Sequence, residues 1–159
     1  MRRLHLQRRQ RGVAAIELAL IMLFFMALLP LVLLFGSALQ AYTALQKGTH
    51  DAARYMATLP LVQMTSMTAA AQSSVFARKM VLDAMAETWP AMGVSQINLE
   101  CVYSDDVYAC GNFPSKPLQV RVRVGVDMPV TFLPDLARKW LPQLYSIPLR
   151  ANATMRYDN

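Results

Sequence analysis

Residues 13–39 read VAAIELALIMLFFMALLPLVLLFGSAL, and this stretch decides the fold. Apart from Glu17, Pro30, Gly36 and Ser37 it is wholly apolar, and from Leu18 to Leu39 it carries no charge. As a helix rising 1.5 Å per residue, about 22 residues cover ~33 Å, enough for a bilayer hydrocarbon core of ~30 Å. Pro30 is expected to kink the helix or unwind it locally. On the near side stand Arg2, Arg3, Arg8, Arg9 and Arg11, all before Gly12. Few basic residues follow closely. Basic flanks stay in the cytoplasm, so the N-terminus is expected inside and the C-terminal part outside.

The same asymmetry explains the composition. The chain has 159 residues, 55% of them hydrophobic and 16% charged, with a net charge of +6. That is too apolar for an average soluble domain. Five of the 16 basic residues precede Gly12 and all ten acidic residues follow it, leaving eleven basic against ten acidic beyond the leader. The positive charge belongs to the leader, so no basic binding face remains and nucleic-acid binding is set aside.

Beyond the apolar stretch, residues 37–58 continue the helix. Ala38, Tyr42, Leu45, Thr49 and Ala53 recur at steps of three and four, a less polar stripe that excludes Lys47, Asp51 and Arg54. Leu59-Pro60 ends it. Thr65 or Ser66 caps a second helix reaching about Thr88, with Met67, Ala71, Val75, Met80 and Ala84 on the expected inner face and Phe76 alongside. Trp89-Pro90 closes that helix, and Gly93 opens a turn. Three strands follow from period-2 patterns. They run through Ile97, Leu99, Cys101 and Tyr103, then Val120, Val122, Val124 and Val126, then Ile147 to Tyr157. Residues 134–141 suit a short helical crossover between the last two.

The most informative motif is Arg11-Gly12-Val13-Ala14-Ala15-Ile16-Glu17. Gly12 has no side chain, so a protease can approach its carbonyl closely. Cleavage after Gly12 would give Val13 a free amine and make Glu17 the fifth residue of the mature chain. A carboxylate inside the membrane region costs up to ~3 kcal/mol on insertion scales, less near the interface. Its natural partner is the new amine, on the same chain or a neighbouring one. Such pairing would set the stagger of packed helices. The plainer reading leaves Glu17 snorkelling to the headgroup region.

This layout resembles prepilin leaders, in which a membrane peptidase cuts after glycine and glutamate is the fifth mature residue. It is most similar to the TadE-like pseudopilins of tight-adherence (Flp-type) pili. Ala14-Ala15-Ile16-Glu17-Leu18-Ala19-Leu20 resembles that family's start, although Leu18 stands where the family usually has phenylalanine or tyrosine. Asp51-Ala52-Ala53-Arg54-Tyr55-Met56-Ala57 resembles a second family segment in shortened form, and residues 151–156 resemble its final strand. The specific motifs lie within the first 57 residues. The resemblance implies a minor pilin-like subunit or assembly factor for a pilus used in adhesion and biofilm formation. Its implied partners are a prepilin peptidase, other pilin-like subunits, the inner-membrane assembly platform and membrane lipid. The implied site is a bacterial inner membrane with the C-terminal domain in the periplasm, or the pilus itself. The short chain suits a TadE- or TadF-like member better than the longer TadG-like kind.

Cys101 and Cys110 are expected to form a disulfide if their domain is exported. Closing a loop of about ten residues is worth ~2.5–3 kcal/mol in chain entropy. Asp105-Asp106 reads as a solvated turn rather than a calcium site, and His50 beside Asp51 as a polar helix face rather than acid–base chemistry. No hydrolase elbow, phosphate loop or zinc spacing is present. The eleven methionines suit adaptable packing better than metal carriage. Asn152-Ala153-Thr154 is a chance glycosylation sequon. Neither an enzyme nor a cofactor or metal is expected.

The expected architecture is α+β and pilin-like: leader 1–12, membrane helix 13–39, its extension 40–58, and a domain 59–159 with a second helix and a small antiparallel sheet of about three strands. Two other readings of the N-terminus stay open. One is an uncut signal anchor carrying a periplasmic binding or adhesion module unconnected with pili. The other is a secretory signal cut after Ala38, for which the apolar stretch is long against an h-region of about 7–15 residues.

Overall fold

The computed structural model describes residues 4–88, 94–104, 106–130 and 146–159, with side chains from Gly12 onward except that of Ser95. It divides into two compact units, residues 1–37 and 38–159, each treated by itself. The closure at Trp89-Pro90, the turn at Gly93, Asp105 and the crossover expected at 134–141 lie outside the described residues.

Helix α1 spans Leu4–Ala57 and includes Pro30, with no interruption there. In the first unit its apolar side chains point outward on every side: Ile16, Leu20, Leu23, Phe24, Met26, Leu31 and Phe35 are all well exposed. A helix that is apolar all round and unburied matches a lipid solvent rather than a core. Among the described residues, α1 is the one helix long and apolar enough to cross a membrane.

In the second unit α1 becomes one-sided. Ala41, Leu45, Ala52, Ala53 and Met56 are buried, while Lys47, His50, Asp51 and Arg54 are exposed. Thr49 is also buried, its hydroxyl donating to the Leu45 carbonyl at 2.6 Å. The expected stripe holds at Leu45, Thr49 and Ala53 and is half-buried at Ala38, but Tyr42 faces outward. Ala41 takes the inner position instead.

The chain then turns through Thr58 and Leu59 into a short helix that the sequence reading did not anticipate, α2 at Leu61–Thr65. Pro60, fixed at φ −65°, precedes it, and the Pro60 carbonyl accepts from the amide of Gln63 at 2.9 Å. Helix α3 follows at Met67–Thr88, starting just after Ser66 as expected. Its inner face differs from the expected one. Ala70, Ser73, Ala77, Val81 and Met85 are buried, whereas Met67 and Val75 are about two-thirds exposed and Phe76 is half exposed. The physical reason is close approach to α1. A β-carbon on Gly48 would come within 3.0 Å of the Ala84 β-carbon and 3.4 Å of the Val81 Cα. The contact seats Val81 and, half-buried beside it, Ala84 against Gly48, which turns Ala77 and Met85 inward with them and leaves Met67 and Val75 outside.

Among the described residues the sheet has four strands, in the order β2-β1-β3-β4, all antiparallel. They are β1 Val94–Val102, β2 Val107–Tyr108, β3 Gln119–Pro129 and β4 Ser146–Arg156. Three match the expected patterns, and β2 is the addition. Two residues are too few to show a period, so only its pairing of Val107 with Val102 and Tyr108 with Cys101 reveals it. In β3 the alternation is complete: Val120, Val122, Val124, Val126 and Met128 are buried, and Arg123 and Asp127 are exposed. Each such side chain contributes roughly 1.5–3 kcal/mol by leaving water. With Ala151, Ala153 and Tyr157, this inner face shares one buried cluster with α1 and α3.

Two contacts fasten the second unit. The hydroxyl of Tyr157 donates to the Leu59 carbonyl at 2.7 Å, and the side-chain amide of Asn159 donates to the carbonyls of Thr58 at 2.8 Å and Leu59 at 3.2 Å. These carbonyls belong to the turn that follows α1, whose own last-turn carbonyls at Arg54, Tyr55 and Met56 accept from the amides of Thr58 and Leu59. At the other fastening Gly111 adopts φ +89°, and a β-carbon there would meet the Ala70 β-carbon at 2.6 Å and the Ser66 carbonyl oxygen at 3.1 Å.

Gly111→Ala is therefore expected to cost about 2–4 kcal/mol, from left-handed backbone strain and overpacking together. Gly36→Ala, which meets open space, should leave the domain unchanged. Chemical unfolding of the full chain in detergent checks both. Tyr157→Phe should cost about 1 kcal/mol, since Asn159 still serves the Leu59 carbonyl.

Candidate functional site

The residues singled out at the leader junction lie on α1. Gly12 is exposed and has nothing within 4 Å of a β-carbon built upon it. Val13 is 58% exposed and Glu17 is exposed. Four residues apart on one helix, Val13 and Glu17 share a face about 6 Å apart along the axis. A new amine at Val13 and the Glu17 carboxylate would thus stand one turn apart, able to pair within the chain or across to a neighbour. The bond after Gly12 lies inside the helix. A peptidase that needs extended backbone would have to unwind it locally, and glycine, about 1 kcal/mol worse than alanine in a helix, lowers that cost.

The two cysteines are joined. Cys101 and Cys110 form a disulfide with Cα atoms 4.9 Å apart, and no described cysteine is free. The loop it closes contains β2 and a turn in which the Tyr103 amide donates to the Asp106 carbonyl at 2.9 Å. Tyr103, Tyr108 and Phe113 gather beside it. Phe113 lies 5.0 Å from Tyr103 and stacks on Tyr108 at 5.6 Å. Burial raises the phenol pKa of Tyr103. The Tyr108 phenol is raised mainly by its hydrogen bond to Asp106 and then by that residue's charge, with burial a lesser cause. Asp106 is thereby engaged in the turn. Burial likewise raises Tyr157. The neutral phenol is the form the fold prefers. Its contribution is whole below the ordinary tyrosine value near ~10 and is lost as pH climbs through the raised folded value.

His50 and Asp51 stand exposed on α1, and among the described residues no group of three or more histidine, cysteine or acidic side chains could hold a metal ion. Reading along the chain did not gather the residues that meet across strands. On the outer sheet face Gln96, Gly125 and Arg150 fall in one row, and Asn98, Arg123 and Asn152 in the next. Arg123 reaches the Glu100 carboxylate at 3.5 Å. The signal available in the sequence was the break at Gly125 in an otherwise regular Val/Arg alternation.

No curated protein and no solved structure matches the chain. Residues 12–54 match the model of a family described as TadE-like protein, a match that begins at Gly12 and ends three residues short of the end of α1. From the glycine of the leader junction through Arg54, its N-terminal helix is similar to that family.

Proposed function

We propose that the chain is a minor pilin-like subunit or assembly factor of a tight-adherence pilus, cut by a prepilin peptidase after Gly12. The observation that carries this reading is the family match, whose first residue is the glycine expected at the cleavage point. Three features support it. The apolar half of α1 presents its side chains outward, as a helix must if it packs among lipids and other membrane helices. Glu17 is the charged residue of that apolar half, and a carboxylate there is costly enough to call for a partner. The Cys101–Cys110 disulfide suits an oxidising compartment, in agreement with a leader kept inside and a domain placed outside.

On this reading the basic leader holds the scissile bond at the cytoplasmic surface. Cleavage exposes the Val13 amine. The amine and Glu17 then neutralise one another, within the chain or between neighbouring helices, and fix the axial stagger of assembly. The partners are other pilin-like subunits and the inner-membrane assembly platform.

The intact mass of the protein, from cells with and without the prepilin peptidase, tests the first step. A peptidase-dependent start at Val13 is expected. An intact Met1, or a start at Leu39, would remove pilus assembly from consideration and leave a membrane-anchored or secreted binding module. For the second step, Glu17→Ala should leave membrane insertion and domain export intact while impairing piliation. Unchanged piliation would sink the assigned role of the carboxylate.

A further inference from the structure

Helix α3 carries three rows of side chains, and one of them faces the core: Ala70, Ala77, Val81 and Met85 are buried. A second row, Ala71, Val75, Arg78, Leu82 and Ala86, recurs at steps of four, three, four and four, the period of one helix face. All five are exposed, Val75 to 66% and Leu82 to 45%. A third row, Phe76, Met80, Asp83 and Glu87, recurs at steps of four, three and four. This row flanks α1, where the Phe76 ring lies 5.0 Å from that of Tyr55.

The third row and α1 form the two walls of a cleft. Gly48 lies against Val81 and Ala84, and Tyr55 against Phe76, so the two helices run antiparallel in contact. Asp51 stands one turn before Tyr55 on the same face of α1, level with Met80. The cleft therefore offers the rings of Tyr55 and Phe76, the half-buried Met80, and the carboxylates of Asp51, Asp83 and Glu87, all three exposed. Lys47 and Arg54 occupy the next row of α1, farther from α3. The second row of α3 lies on the other flank of that helix and has the opposite character. It sets the apolar Val75 and Leu82 on either side of the Arg78 guanidinium, and Lys79 stands between the two outer rows.

We propose that the second row of α3 docks in the α1–α3 cleft of a second copy of this chain. Copies that enter one membrane by the same end stand parallel, so the two surfaces meet level with one another. Val75 then comes against the Tyr55 and Phe76 rings, Arg78 against Asp51, and Leu82 against Met80. Charge selects this pairing, since two rows centred on Arg78 repel one another, as do two acidic clefts. The two surfaces differ, so the contact is heterologous: a pair of copies still has one row and one cleft unused, and the association can continue. Gly12, Val13 and Glu17 take no part in it, so its failure would leave the proposed function standing.

The chain's two cysteines are joined to each other, so an introduced cysteine is its free thiol. The test reconstitutes the full chain in liposomes as an equal mixture of Ala86→Cys, on the docking row, and Glu87→Cys, on the cleft, and treats it with a short bis-maleimide. The mixture is expected to give cross-linked dimer. Each variant alone should give about fivefold less or lower still, because like positions on head-to-tail copies stand a subunit's width apart. Arg78→Glu in both partners should lower the yield by about fivefold or more, and Asp51→Arg added to it should restore the yield by reversing both charges. Both positions are exposed, so the melting temperature of each variant should be kept. The proposal is overturned if the mixture gives no more dimer than the single variants, if Arg78→Glu leaves the yield unchanged, or if the charge-reversed pair stays as low as Arg78→Glu alone.

Discussion

The hydrogen bond from the Tyr157 hydroxyl to the Leu59 carbonyl ties together two points 98 residues apart in the chain. Between them lie α2, α3 and the described strands, and α1 leads into the first of them. The Leu59 carbonyl sits in the turn after α1, on a buried residue, and an unpaired carbonyl there would be costly. Tyr157 and Asn159 supply its donors and so tie the residues after β4 to the turn after α1. The β3–β4 ladder runs up to this tie, from Pro129 opposite Ser146 to Gln119 opposite Arg156.

Some of this was legible in the sequence and some was not, and the division has a physical basis. The strand β3 was legible because one face is buried and the other wet, so Val120 to Val126 alternate with arginines and a glycine. The membrane segment was legible because its solvent is uniform. The face of α3 was misread because several apolar rows compete for burial, and close approaches at Gly48 and Gly111 decide between them. Val81 lies against Gly48 and Ala70 against Gly111, so the row from Ala70 through Ala77 and Val81 to Met85 goes inside while Met67 and Val75 stay out. Strand β2 and helix α2 were missed because two and five residues carry no period. Of the candidate residues, the two cysteines were legible as a pair because they are close along the chain. The rows that Gln96, Gly125 and Arg150, and Asn98, Arg123 and Asn152, form across the sheet were not, because three strands must be in register before they exist.

The family match and the fold divide the molecule in a consistent way. Residues 12–54 are almost wholly helix α1, and the match stops before the core residue Met56. That helix has two solvents to satisfy. Residues 13–35 meet the demand of a bilayer on all sides, while residues 41–57 face a protein core on one side and water on the other. The family match covers the first set of constraints and most of the helix under the second, but none of the sheet.

The ordering of these contacts along the chain bears on how the domain is made. The hairpin closed by Cys101 and Cys110 is local and can fold as soon as its ten residues have emerged. The turn after α1 cannot be completed so early. The Leu59 carbonyl waits for Tyr157 and Asn159, which come after every described element of the sheet. Loss of residues 157–159 would leave that buried carbonyl without either donor.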